Sequence, residues 1–539
     1  MMPKKILLHD QARGKLFAGL NILADAVRIT LGPSGKTVAL ENRYGAPTVI
    51  NSGVIVAREI ELPDPFENMG AQMAREVASR TSEMAGDGTT TATILAQAMV
   101  QHGMKYVAAG FDPMEIKRGI DAAVGAMIVR LHANARKLAS TEETINVGTI
   151  SANGDRSIGE MIAQAMERVG PAGVIKAEEG RGLANELEVV EGMQFDRGYL
   201  SAYFINDQEK GRVLLDDPFI LVCDKPVSAM TQLVHLLEQV ARLGKPLLLV
   251  APEVEGEALA MLVVNAMSGV LKACAVRAPG FGDNRRHLLE DIVTVTGDRL
   301  VSDETGLALD KVTIEDLGHA RRVEVDRDST AIIGGAGGQE KIRQRIELLK
   351  QQANEVGAIA GKAQFEERAA RLAGGVALIR VGASTETEMK EKRSRVEDAL
   401  HATRAAVLEG ISPGGGVALL RARAVLDDLH LSSPAQQAGV RVVHRAVEEP
   451  LRQIVSGTGK EPDVVLDAVL QLEGNAGYNA ATGVFGDMIA MGVIDPVKVT
   501  RLALTHAASI ASLLLTTECL VAEVPAPPMQ HEGPDGGMA

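Results

Sequence analysis

The chain has 539 residues, of which 46% are hydrophobic, 23% charged and 3% aromatic, with no Trp; this composition belongs to a folded globular protein and excludes a disordered one. Such a length is too great for one core and predicts roughly three or four domains. A formal net charge of −14 without a Lys/Arg run argues against nucleic acid as a partner, because a phosphate backbone demands clustered cations.

With so few aromatics, the cores must be built from Ala, Val, Ile, Leu and the 20 Met, which also leave adaptable surfaces. The three cysteines, Cys223, Cys274 and Cys519, are far apart and odd in number, as expected of reduced thiols in a cytosol. Ile6-Leu7-Leu8 is too short for a signal-peptide core. No uninterrupted apolar run reaches the ~18 residues of a membrane span. The scattered histidines lack metal-ligand spacing, so no transition metal is expected.

In chain order, Leu16, Leu20, Leu23, Val27 and Leu31 recur at helical spacing and predict a helix from Lys15 to Leu31, stopped by Gly32-Pro33. Ser34-Gly35-Lys36-Thr37 ends like a phosphate-binding P-loop, but Thr30 stands where that pattern needs glycine, and the segment follows a helix instead of a strand. Thr37–Leu40 and Pro47–Ile50 read as short strands joined by a turn at Asn42-Arg43-Tyr44-Gly45. Helical spacing returns over Phe66–Val77 and Thr91–Ala108.

Between those helices lies Gly86-Asp87-Gly88-Thr89-Thr90-Thr91. Two glycines allow a tight turn, and the threonines offer unpaired N–H groups and hydroxyls to an anion at a helix start. Asp87 adds a hard oxygen for the Mg²⁺ that accompanies a polyphosphate. An ordinary Asp/Gly turn with Thr caps has the same residues, and the segment alone does not decide between the two.

A long helical stretch, Pro113–Leu138, ends the first block. Residues 139–190 then mix short helices with a turn at Gly170–Gly173 and a strand at Gly173–Ala177. Strands at Phe219–Cys223, Leu247–Ala251 and Leu271–Arg277 alternate with helices at Thr231–Leu243 and Gly256–Ser268, which implies a parallel sheet covered by helices. Both helices carry apolar residues on more than one face. The surplus is either buried by neighbouring segments or forms an apolar binding surface. A charged helical region covers Lys341–Ala370, and after Gly374-Gly375 another helix runs from Glu386 to about Glu409. Within it Glu388–Lys392 and Glu391–Arg395 are i,i+4 pairs; Asp398 stands outside them. The turn Pro413-Gly414-Gly415-Gly416 follows, then helices interrupted at Asn479-Ala480-Ala481 and Asp495-Pro496.

Taken together, Gly86–Thr91, Val396–Val407, Gly414–Leu419, Tyr478–Ala481, Glu191–Tyr199 and Ala278–Asp283 closely resemble the group I chaperonins, the GroEL type, in the same order along nearly the whole chain. The resemblance implies a multidomain α+β subunit: a mainly helical equatorial ATP domain (1–135 and 410–524), a small α/β intermediate hinge domain (136–190 and 377–409) and an α/β apical domain (191–376), followed by a tail (525–539). It further implies that Thr30, Leu31, Gly32, Pro33, Asn51, Asp87, Gly88, Thr89, Thr90 and Thr91 bind the phosphates of ATP, with Asp87 on Mg²⁺. Gly415, Asn479, Ala480, Ala481 and Asp495 would hold adenine and ribose, and Asp398 would position the attacking water. Tyr199, Tyr203, Phe204, Val234, Leu237, Leu259, Val263 and Val264 would bind non-native proteins and a GroES-type co-chaperonin. Two stacked seven-membered rings in the cytoplasm, with no nucleic acid or membrane partner, complete the expectation.

Four departures stand out. Asn51-Ser52-Gly53 replaces the usual Lys-Asp-Gly, which removes a phosphate-side cation and leaves Ser52 where a carboxylate would face the hydrolytic water. Lys137 replaces a hinge proline, Val234 a common Leu, and the tail lacks long Gly-Gly-Met repeats. Ser52 raises an alternative: a specialised paralogue that hydrolyses ATP slowly and acts as a holder or on restricted clients. A small-substrate metabolic enzyme would need a catalytic constellation that the sequence does not offer.

Overall fold

A computed structural model describes residues 4–41, 47–170, 173–180, 182–208, 210–355 and 359–523. The turn expected at 42–45, the middle of the 170–173 turn and the tail lie outside the described residues.

Helix limits follow local chemistry that apolar spacing does not report. His9–Arg28 begins ahead of Lys15, because the buried Arg13 pairs with Asp10 one turn back and with Glu518 far along the chain. Pro65–Ala85 starts at Asp64, whose carboxylate accepts from the N–H groups of Phe66 (2.9 Å) and Glu67 (3.1 Å), with proline at the first helical position. The helix predicted to reach Leu138 stops at Ala133. Beyond it the Arg136 backbone turns extended and exchanges hydrogen bonds with Ile411, at 3.0 and 2.7 Å, a partner that sequence spacing cannot reveal. In the charged region the described residues form helices at Gln339–Glu355 and Ile359–Gly374, and Glu386–Glu409 is continuous as predicted.

The chain divides into two compact units, Met1–Ala163 with Lys390–Ala539, and Gln164–Met389. In the first, His9–Arg28, Pro65–Ala85, Thr89–Ala108, Pro113–Ala133, Pro434–Ala446 and Val497–Thr516 share one aliphatic core around Leu20, Leu95, Met99, Ile120, Val443 and Leu504. Val497–Thr516 is the one helix among the described residues that is long and apolar enough to cross a membrane, but most of it is buried in this core. Four two-stranded sheets edge the unit. In one, Lys4–Leu8 pairs antiparallel with Cys519–Glu523; in another, Ile411–Pro413 pairs with Ile494–Pro496.

The second unit holds a seven-stranded sheet. Phe219–Val222, Leu247–Ala251 and Ala273–Arg277 are parallel, as the strand–helix alternation predicts, and the remaining strands continue antiparallel through Gly318–Val325. A three-stranded sheet places Val376–Val381 between Val174–Glu179 and Glu186–Val190. Glu324, 3% exposed, accepts from Lys176 at 3.0 Å and lies 3.3 Å from Arg212, which compensates its burial.

Candidate functional site

The glycine-flanked aspartate is built as the sequence suggests. Gly86 (φ 72°) and Gly88 (φ 81°) both adopt left-handed conformations, and a Cβ on Gly86 would sit 1.9 Å from the His401 Cβ, so no side chain fits there. Gly88 then caps the Thr89–Ala108 helix, whose first-turn N–H groups have no intrahelical acceptors. Asp87 is pinned between them. Its Oδ1 accepts from the Gly88 N–H at 2.5 Å and its Oδ2 from the Ser151 hydroxyl at 2.6 Å. Burial pushes its carboxyl pKa up, and these two bonds oppose that shift.

The Thr30 hydroxyl donates to the Val27 carbonyl at 2.8 Å. The 3.1 Å contact between Thr30 and Thr90 must therefore be donated by Thr90, whose remaining lone pairs suit a cation and not a phosphate oxygen. Gly53 permits this approach, since a Cβ there would fall 2.3 Å from the Thr90 hydroxyl. Asn51 carries a buried Oδ1 with no hydrogen-bond partner. Across the site, Asp495 has its pKa raised to about 7 by burial and then by the charge of Asp87. Both aspartates keep some surface toward open space, although their carboxyl groups lie deep in protein. Asn479 folds its own turn, accepting from the N–H groups of Ala481 (3.0 Å) and Thr482 (3.3 Å).

These segments enclose one cavity of about 520 Å³. Thr30, Leu31, Gly32, Pro33, Asn51, Ser52, Asp87, Gly88, Thr89, Thr90, Thr91, Asp398, Gly415, Asn479, Ala480, Ala481 and Asp495 all line it. Sequence reasoning missed Ser151, Asn153, Ser394 and Met488, which also line it. None belongs to a local pattern, whereas Tyr478, beside Asn479, could have been taken from the same motif. Among the described lining residues Arg395 is the single basic side chain, and it is held by Glu391 of its own helix, Nε to Oε1 2.7 Å. Two deep carboxylates, an orphaned amide oxygen and a glycine cradle at a helix start form a donor set that fits a polyphosphate accompanied by a hard divalent cation.

In the second unit the predicted apolar surface is only partly exposed. Tyr203 and Val264 are 67% and 63% exposed, while Tyr199, Val234, Leu259 and Val263 are half-buried. Leu237 and Phe204 correct the expectation: at 6% and 3% exposure they belong to the core beneath the parallel strands. The reason is geometric. Val234–Leu243 turns Leu236, Leu237 and Val240 inward together, so its apolar surplus is mostly core. Gly256–Met267 buries only Ala258 and Leu262, and with Val264 and Met267 exposed it carries the open apolar face.

The architecture is thus that of a multidomain α+β protein in which remote segments converge on one acidic cavity, while a separate unit displays apolar side chains. A model of the TCP-1/cpn60 chaperonin family matches residues 23–525. The chain belongs to that family, whose members are oligomeric chaperonins that assist protein folding, generally bind ATP with Mg²⁺ and are generally ATPases.

Proposed function

We propose that this protein is an ATP-dependent chaperonin that captures non-native proteins on an apolar apical surface and encloses them for folding in a ring chamber. The observation that carries the reading is the convergence of the segments around Thr30, Asp87, Asp398, Gly415, Asn479 and Asp495 on one cavity with two deep carboxylates. Bound ATP with Mg²⁺ supplies the anhydride bond whose hydrolysis drives the cycle. The N–H groups of Thr89 to Thr91 bind phosphate oxygens, and Asp87 holds the metal. Asn479, Ala480, Ala481, Gly415 and Asp495 hold the nucleoside, while Asp398 orients a water.

The equatorial (1–135, 410–524), intermediate (136–190, 377–409) and apical (191–376) division belongs to this proposal, as do two stacked seven-membered rings, a GroES-type co-chaperonin and a cytoplasmic setting. Exposed Val264 and Tyr203 support the client surface, since apolar side chains repeated around a ring bind unfolded chains without sequence specificity. A second reading, a slowly hydrolysing holder, is favoured by Ser52, which lines the cavity without a charge. Electron microscopy of the purified protein, with steady-state ATPase and aggregation-suppression assays, tests both. Seven-fold double rings with Mg²⁺-dependent turnover support the chamber; suppression with negligible turnover supports the holder; absence of nucleotide binding overturns the site.

A further inference from the structure

We propose that Ser151 is a positioning residue for Asp87, fixing one carboxylate oxygen toward the cavity and tying the end of the Thr141–Ser151 helix to occupation of the cation site. This rests on the reading of the cavity as a Mg²⁺–nucleotide site and adds a residue to it. Among the described residues, Ser151 is the one side chain that hydrogen-bonds Asp87, at 2.6 Å from Oδ2. The other oxygen is held by the Gly88 N–H, so the carboxylate has one donor on each oxygen and keeps further lone pairs for a metal.

The serine is itself held rigidly. Its helix is capped at Ser140, which accepts from the Glu143 N–H at 3.2 Å. It ends in a tight turn where Asn153 (φ 56°) and Gly154 (φ 88°) are left-handed and the Gly154 N–H bonds to the Thr149 carbonyl at 2.8 Å. The same helix packs against Ile494–Pro496, the strand that carries Asp495. A hydroxyl on such a fixed helix end orients a ligating carboxylate in the way that outer hydrogen bonds orient metal ligands generally, where their removal weakens metal binding by about 10- to 100-fold.

The test uses Mn²⁺ as the probe, its binding read by electron paramagnetic resonance in the presence of ADP, with ADP affinity measured separately without metal. Ser151→Ala is expected to weaken Mn²⁺ binding at least about tenfold and leave metal-free ADP affinity unchanged, while Ser151→Thr, which keeps the hydroxyl, restores the parent value. Equal Mn²⁺ affinity in the parent and Ser151→Ala, or a loss that Ser151→Thr fails to restore, overturns the positioning role alone. Failure of the parent to bind Mn²⁺ with ADP overturns the nucleotide reading and this role with it. Circular dichroism and thermal melting of both variants separate a folding defect: Ser151→Ala melting like the parent with weakened Mn²⁺ supports the role, and a Mn²⁺ loss seen only with a lowered melting temperature counts against it.

Discussion

Asp87 and Asp398 share the cavity but sit on different supports, one in a glycine turn before a helix and the other inside the Glu386–Glu409 helix. We expect Asp87→Ala to weaken Mg²⁺–nucleotide binding. Asp398→Ala should leave affinity nearly intact and slow turnover by roughly 10², the scale of losing one group that acts in the transition state. Equal losses of affinity in isothermal titration would contradict the division. Ser52→Asp is expected to raise kcat severalfold at constant nucleotide affinity, because an added carboxylate accepts a proton or orients water better than a hydroxyl; unchanged or slower steady-state turnover would remove the holder reading. The aspartate turn was legible because glycine, aspartate and threonine act locally. Ser151 was not, since nothing in its neighbours announces a hydrogen bond to a residue 64 positions away. Nor was the orphaned oxygen of Asn51, which is a property of its surroundings.

Among the elements, the two helices beside the parallel strands separate what sequence periodicity had merged. An apolar helix wider than one stripe announces surplus hydrophobic area, but only packing assigns each residue to core or surface. Leu237→Ser is therefore expected to destabilise the second unit by about 2 to 5 kcal/mol, the range for emptying a buried aliphatic site. Val264→Ser should leave the melting temperature near the parent's and reduce capture of an unfolded protein in a light-scattering assay. Retained capture in Val264→Ser, or an unshifted melt in Leu237→Ser, would reverse these assignments.

Glu324 gives the same unit a pH dependence. Burial opposes its ionisation, yet the Lys176 ammonium and Arg212 guanidinium outweigh that, so its pKa lies below the ordinary 4.5. A depressed carboxyl contributes stability above its unfolded pKa and loses it as pH falls through the folded one. Glu324→Gln should thus cost about 3 kcal/mol near neutral pH by stranding its partners. The gap in melting temperature from the parent should narrow below pH 4.5; a gap independent of pH would show that the pair contributes packing and no charge linkage.

At the scale of the whole chain, the cavity draws only on the first unit, so ligand stabilisation should be confined to it. In differential scanning calorimetry, Mg²⁺–ADP at 100 times its Kd is expected to stabilise one transition by about 2.7 kcal/mol and leave that of Gln164–Met389 in place; a uniform shift would mean that the units unfold together. The alternation that gives the parallel strands was legible in local pattern, but contacts such as that between Arg136 and Ile411 depend on segments distant in the chain. The pairing of Lys4–Leu8 with Cys519–Glu523 is the extreme case, and it sets a timetable for biosynthesis. At translation speeds of about 5 to 20 residues per second, the first strand waits roughly half a minute to two minutes for its partner. The segment Gln164–Met389 is complete well before then, so the nascent polypeptide carries one finished body while the cavity, whose lining runs from Thr30 to Ala503, still lacks its later wall.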